Sequence, residues 1–138
     1  MVSLAVSLLS TLRIAVGVVA FIAPTKTVQL LGHPAPASSV IGNRLWASRD
    51  AALGGLLFSA SSNESVRGAL LAGMATDILD IISVGLSLLD GSVGVRAAVV
   101  VGGGGVAFLG LGLVALKGLK VKKADVPSIT APLLNEDA

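Results

Sequence analysis

The chain lacks most of the residues that build common enzyme sites. Its 138 residues include no cysteine, no tyrosine and one histidine. Without cysteine there can be no disulfide, thiolate nucleophile or cysteine–zinc site. One histidine cannot build a histidine-rich metal site, and no Ser-His-Asp set can be assembled around it. We therefore expect neither a metal nor an organic cofactor, and any chemistry must come from other side chains.

Charged and aromatic residues are also scarce, at 13% and 3% of the chain. A typical soluble domain is about 25% charged. The chain is 54% hydrophobic, and its mean hydropathy is +0.91. This composition argues against an ordinary water-soluble domain and against a chain that is disordered throughout. It also argues against a nucleic-acid partner, because proteins that stack bases need more aromatic and basic surface.

What the sequence does have is four long apolar segments. Each is close to the roughly 20 residues that span a bilayer, and none alternates as a half-buried strand would. Pro24, Gly32, Pro34 and Pro36 indicate a loop after the first segment. The sequence therefore predicts an all-α fold, a four-helix antiparallel transmembrane bundle in residues 1–120 with a polar tail in 121–138. The predicted helices cover residues 4–23, 44–60, 66–89 and 92–116. We expect the first segment to be retained rather than cleaved as a signal peptide, because Arg13 interrupts its apolar run.

Lysines at one end of the bundle predict its orientation. The fourth segment is followed by Lys117, Lys120, Lys122 and Lys123. Lysine and arginine are enriched in cytoplasmic loops, so this end should be cytoplasmic. Four spans then place the N-terminus in the cytoplasm too, in a multi-pass protein that we expect in the endoplasmic reticulum.

Seven charged residues fall inside or at the edge of the predicted spans, where a charge costs at least about 2.5–3.5 kcal/mol. Such residues should face one another or a wet cavity. Four arginines nearly balance three aspartates, as a buried paired cluster requires. Counting along the helices places Arg13 near the middle of its span and the others in the lumenal half. The seven are Arg13, Arg44, Arg49, Asp50, Asp77, Asp80 and Arg96.

Asp77 and Asp80 are one helical turn apart and share one helix face. In a low-dielectric environment two such carboxyl groups do not both ionise freely. One can then act as a proton donor and the other as an acceptor. This indicates acid/base chemistry at Asp77 and Asp80, although structural ion-pair networks place charges in the same way.

The second segment adds residues that cannot all point in one direction. Arg49 and Asp50 are about 100° apart around the helix, and Arg44 is about 140° from Arg49. Asp50 could pair with a neighbouring helix while Arg49 reaches a cavity, and Arg44 could snorkel to the headgroups instead. Trp46 is expected as an interfacial anchor or as a cavity wall, and Asn43 as a helix cap. Arg13 and Arg96 are further candidate supporting residues.

Residues 42–55, GNRLWASRDAALGG, carry an R-x4-RD-x3-G motif, which Asp77 and Asp80 follow in the next helix. The motif resembles that of a family of short four-helix membrane proteins common in fungi. Within that group, the chain also resembles the small membrane hydrolases of fungal polyketide clusters that make cyclic ethers of the aurovertin and citreoviridin type. Those proteins are associated with opening polyene-derived epoxides.

The resemblance implies a cofactor-independent enzyme that opens epoxides of a lipophilic metabolite. Asp77 or Asp80 would be the base, the other carboxylic acid or Arg49 the donor, and Asp50 would orient an arginine. The expected partners are a lipophilic substrate and membrane lipid, and the protein could also form a homo-oligomer. The alternative is a non-enzymatic membrane scaffold in which the Arg/Asp pairs only fix helix register.

Overall fold

The computed structural model describes residues 4–32 and 36–119, and within them the fold is entirely helical, as predicted, with no strand. Four long helices and one short helix follow one another along the chain. They are α1 (Leu4–Ile22), α2 (Pro24–Leu30), α3 (Ala37–Ser59), α4 (Asn63–Leu89) and α5 (Val95–Gly118).

The region predicted to be a loop after the first span is largely helical. Pro24 occupies the first turn of α2, where a backbone N–H would have no helical acceptor and proline's fixed φ already suits a helix. Pro36 is the N-cap of α3, so this helix begins at Ala37 rather than at residue 44. Pro24 and Pro36, which the sequence predicts to lie in a loop, therefore start helices.

The remaining boundaries shift by a few residues. A capping box of Ser62 and Ser65 starts α4 at Asn63. Gly91 adopts a φ of 74° in the turn after α4, and α5 begins at Val95 rather than at residue 92. The predicted polar tail of residues 121–138 lies outside the described residues, and so does Lys120.

The four long helices run alternately up and down, and α1 packs most extensively on α3 while α4 packs on α5. Glycine allows the α1–α3 contact to be close. A Cβ at Gly17 would lie 2.6 Å from the Ala47 carbonyl oxygen, and one at Gly54 would lie 2.9 Å from the Ile14 backbone nitrogen. Contacts between the two helix pairs are fewer.

The apolar core lies at one end of the bundle, where α1 and α4 start and α3 and α5 finish. We call this the packed end. Its buried members are Val6, Leu9, Leu57, Val66, Leu70 and Ala115. Elsewhere many large apolar side chains point outward, Val19, Ile22 and Leu86 among them. An apolar exterior of this extent is characteristic of a membrane-contacting surface.

Three helices, α1, α4 and α5, are long and apolar enough to cross a membrane. Any 18 consecutive residues of α3 include Arg44, Arg49 and Asp50, so α3 does not share their uniform apolarity. The sequence-based expectation of a membrane protein is therefore supported by three helices.

Candidate functional site

Arg13 lies at the middle of α1 and joins three helices. Its Nη1 donates to Asp50 Oδ1 on α3 at 2.5 Å. Its Nη2 donates to Asp77 Oδ2 on α4. The same nitrogen also donates to the Gly73 carbonyl oxygen at 3.5 Å. The side chains of Arg13, Asp50 and Asp77 are only 3–4% exposed. The arginine is thus a buried guanidinium shared between two carboxylates.

A second ion pair joins α3 to α4 one turn further along. Arg49 Nη1 donates to Asp80 Oδ1 at 3.0 Å, and Arg49 Nη2 donates to Asp80 Oδ2 at 2.5 Å. This parallel, two-bond geometry is the favoured arrangement for arginine and a carboxylate. The pair is more open than the first, with 37% of the Arg49 side chain and 23% of the Asp80 side chain exposed.

Two neighbours shape the space around the Arg13 guanidinium. The first is Gly73, where an added Cβ would lie 3.4 Å from Arg13 Nη2. The second is the Phe108 ring on α5, whose centroid is 4.8 Å from Arg13 Cζ. This distance is within the range of a cation–π contact. A small residue on one side and an aromatic face on the other thus accommodate the buried cation.

Two buried polar atoms of the cluster have no hydrogen-bond partner among the described residues, Asp50 Oδ2 and Arg49 Nε. Asp50 therefore uses one carboxylate oxygen for Arg13 and leaves the other unsatisfied. By contrast, both oxygens of Asp80 are bound by Arg49. Unsatisfied buried polar atoms are rare in folded proteins and often mark a functional position.

A cavity of about 800 Å³ lies between the helix pair α1–α3 and the pair α4–α5, and α2 contributes to its wall. It occupies the end of the bundle opposite the packed end, and we call this the cavity end. Most of its wall is apolar, with residues such as Val16, Val19 and Val100. All three cluster aspartates, Asp50, Asp77 and Asp80, line it, whereas the described lining includes no arginine or lysine. The cavity is therefore apolar with an acidic patch.

The structure brings together five of the sequence-predicted residues: Arg13, Arg49, Asp50, Asp77 and Asp80. Arg44 and Arg96 are exposed, and within the described part of the chain neither forms an ion pair. The sequence predicted a cluster of four arginines and three aspartates. The observed cluster instead contains two arginines and three aspartates.

Asn43 and Trp46 also have defined positions. Asn43 lies inside α3 rather than at its start, and its Nδ2 donates to the Ala20 carbonyl oxygen of α1 at 2.9 Å. The prediction that it caps a helix is wrong, because the helix begins at Ala37. Trp46 is half-buried and lines the cavity, which agrees with the cavity-wall alternative.

Sequence reasoning missed Gly73 and Phe108. Gly73 precedes Asp77 by one helical turn and so lies on the same face, a spacing that could have identified it. For Phe108 no sequence signal was available, because its role depends on how α5 is rotated against α1.

Comparison with known proteins identifies no relative: no protein-family model, curated protein or solved structure matches the chain. The site must be interpreted from its own geometry.

Proposed function

We propose that this protein is a cofactor-independent membrane hydrolase or cyclase that opens epoxides of a lipophilic, polyketide-like molecule. The observation that carries the proposal is the acidic patch of Asp50, Asp77 and Asp80 in an otherwise apolar cavity. Its volume of about 800 Å³ falls within the range of small-molecule sites. A lipophilic substrate would enter such a cavity from the bilayer.

The proposal includes four spans with both termini in the cytoplasm, as in a multi-pass protein of the endoplasmic reticulum. Although α3 is charged, it lies antiparallel along α1, and Arg49 and Asp50 are paired inside the bundle. Pairing lowers the cost of placing charges at membrane depth. Lys117 in the last turn of α5, with the lysines that follow it in sequence, supports a cytoplasmic packed end. The cavity end would then face the lumen.

Epoxide opening needs one carboxylate and one carboxylic acid. The carboxylate takes a proton from water or from an internal hydroxyl, whose oxygen then attacks an epoxide carbon. The C–O bond of that carbon breaks, and the carboxylic acid protonates the departing oxygen. The product is a diol or a cyclic ether, and a proton exchange between the two carboxyl groups resets the site. Two guanidiniums neutralise two of the three carboxylates, so the third carboxyl group can carry the required proton.

The geometry favours Asp50 as one member of this catalytic pair, because its Oδ2 is unpartnered and it lines the cavity. The second member is Asp77 or Asp80. Arg13 and Arg49 are not among the lining residues, so we assign them as positioning residues that hold the carboxylates. This differs from the sequence-based expectation, in which Asp50 oriented an arginine and Arg49 could serve as the cationic donor to the substrate oxygen.

The test uses the full chain in phospholipid nanodiscs with 1,2-epoxyhexadecane and an epoxidised polyene as substrates, in water enriched in ¹⁸O. We expect diol containing one ¹⁸O, or an unlabelled cyclic ether where the epoxidised polyene also carries a hydroxyl group. Asp50→Asn should lower turnover by about 10²- to 10⁴-fold, the usual contribution of a general acid or base. Asp90→Asn is the matched control, because Asp90 is exposed at the end of α4.

The non-enzymatic scaffold is the second candidate, and the burial of Arg13 between three helices favours it. It predicts that Asp50→Asn, Asp77→Asn and Asp80→Asn change thermal stability or expression only. Two results together would favour the scaffold over the enzyme. The wild-type protein would show no epoxide turnover, and the aspartate variants would differ from it only in stability.

A further inference from the structure

The acidic cluster contains more carboxyl groups than cations. Arg13 is shared by Asp50 and Asp77, and Arg49 is taken by Asp80. Two guanidiniums thus face three carboxyl groups. Arg44 and Arg96 are exposed and form no ion pair within residues 4–32 and 36–119, so neither supplies the missing positive charge.

The hydrogen-bond acceptor that lacks a partner in the cluster is Asp50 Oδ2. Asp50 is 2% exposed, and its Oδ2 has no partner among the described residues. An unsatisfied buried carboxylate oxygen costs more than an unsatisfied neutral group, so a ligand that donates to it would gain that energy on binding. Asp50, Asp77 and Asp80 line the cavity, whereas Arg13 and Arg49 are not among the lining residues, so the wall attracts a cation more than an anion.

The rest of the wall determines what kind of cation fits. Within the described chain, no group of three or more His, Asp or Glu side chains is arranged to hold a metal ion. The wall instead offers apolar side chains and two aromatic rings, Trp46 and Phe108. Aromatic faces attract organic ammonium groups, and the apolar surface accommodates a hydrocarbon chain.

We propose that the cavity binds lipophilic amines, with the protonated nitrogen donating to Asp50 Oδ2 and the alkyl chain lying along the apolar wall. An amine that arrives neutral can take a proton from the carboxyl group that holds one, which leaves an ammonium–carboxylate pair. Binding does not require turnover, so this proposal does not rest on the epoxide chemistry. In an active enzyme such amines would compete with the epoxide.

Trp46 makes the test site-specific, because it is the single tryptophan of the chain and it lines the cavity. The probe is N,N-dimethyl-12-bromododecylamine, whose bromine quenches tryptophan fluorescence. The comparison compound is the neutral methyl ether of 12-bromododecanol, which has the same chain but no charge and no donor. Both are titrated into the full chain in phosphatidylcholine nanodiscs, with concentrations corrected for partition into lipid.

We expect saturable quenching by the amine at a concentration at least tenfold lower than that needed for the ether. Asp50→Asn should remove this preference, whereas Asp90→Asn should retain it. Equal quenching by amine and ether in the wild-type protein would overturn the proposal, even if Asp50→Asn does not fold. An unchanged preference in folded Asp50→Asn would also overturn it. Because fluorescence is read without substrate, failure here is distinguishable from failure of epoxide turnover.

Discussion

The packed end and the cavity end are built from the same four long helices but serve different purposes. At the packed end, Leu9, Leu57 and Leu70 interdigitate and leave little space. At the cavity end, α5 presents Gly104 and short valines, and an open volume of about 800 Å³ remains. Large apolar side chains at the packed end hold the helices together. The other end can then keep unfilled space and an unsatisfied carboxylate.

Arg13 and Phe108 lie at the boundary between the packed end and the cavity end. Phe108 packs against the apolar core on one side and lines the cavity on the other. Arg13 contacts its ring and binds the two buried aspartates. A substitution should therefore affect stability or ligand binding according to the side of this boundary on which it lies.

The largest effect is expected at the boundary itself, from Arg13→Ala. It leaves Asp50 and Asp77 without their guanidinium, and removing one partner of a buried ion pair costs about 3–5 kcal/mol. Arg49→Ala is the comparison, and it should cost less because the Arg49–Asp80 pair is partly exposed. Thermal unfolding in detergent micelles measures both, and equal losses would contradict the distinction between a buried and a half-open pair.

A triple variant, Arg13→Met with Asp50→Leu and Asp77→Leu, sharpens that result. Replacing a whole buried ion network by apolar residues is often neutral or stabilising. We therefore expect stability to return to about the wild-type value while amine binding and epoxide turnover are lost. Retention of either activity by this variant would show that the cluster is not the functional site.

The next prediction compares how tightly side chains pack at the two ends. Leu70→Ala removes a fully buried side chain of the packed end and should cost about 2–5 kcal/mol. Val19→Ala changes a cavity-lining side chain that is 64% exposed, and exposed substitutions usually stay within about 0.5 kcal/mol. Unfolding by sodium dodecyl sulfate in mixed micelles measures both variants. Similar losses would mean that the cavity wall packs as tightly as the core.

Two matched glycine substitutions differ in the expected sign of their effect. Gly17→Ala places a Cβ 2.6 Å from the Ala47 carbonyl oxygen, so α1 and α3 must separate, at a cost of about 1–3 kcal/mol. Gly104→Ala lies in the cavity wall with no neighbouring heavy atom within 4 Å of the new Cβ. It should stabilise α5 by up to about 1 kcal/mol through helix propensity. Opposite signs in thermal unfolding are the expected outcome, and a loss at both positions would contradict it.

Much of the architecture follows from the sequence because long apolar segments have few alternatives to a helix. The clustering of Arg49, Asp50, Asp77 and Asp80 was also predictable, since unpaired charges are costly at membrane depth. The choice of ion-pair partners was not. Periodicity shows which face of a helix carries a residue, but the match of Arg13 to Asp50 and Asp77 depends on the rotation and register of three helices.

Two other features escaped prediction for local reasons. Pro24 at the start of α2 and Pro36 before α3 are equally compatible with a loop and with a helix start, so the short helix α2 was not predicted. Asn43 was expected as a cap because it precedes an apolar segment. Its actual role, a hydrogen bond to the Ala20 carbonyl oxygen, required knowledge of where α1 ends relative to α3.

The position of Arg13 also has a consequence for biogenesis. Arg13 lies on α1, which is synthesised before α3 and α4, and its partners Asp50 and Asp77 follow 37 and 64 residues later. A lone guanidinium at the centre of an inserted helix costs about 2.5–3.5 kcal/mol, and that cost persists until α3 and α4 have been synthesised. With the proposed topology, we expect α1 to stay beside the translocon or an insertase during this interval, and to be released to the lipid only when α3 and α4 neutralise it.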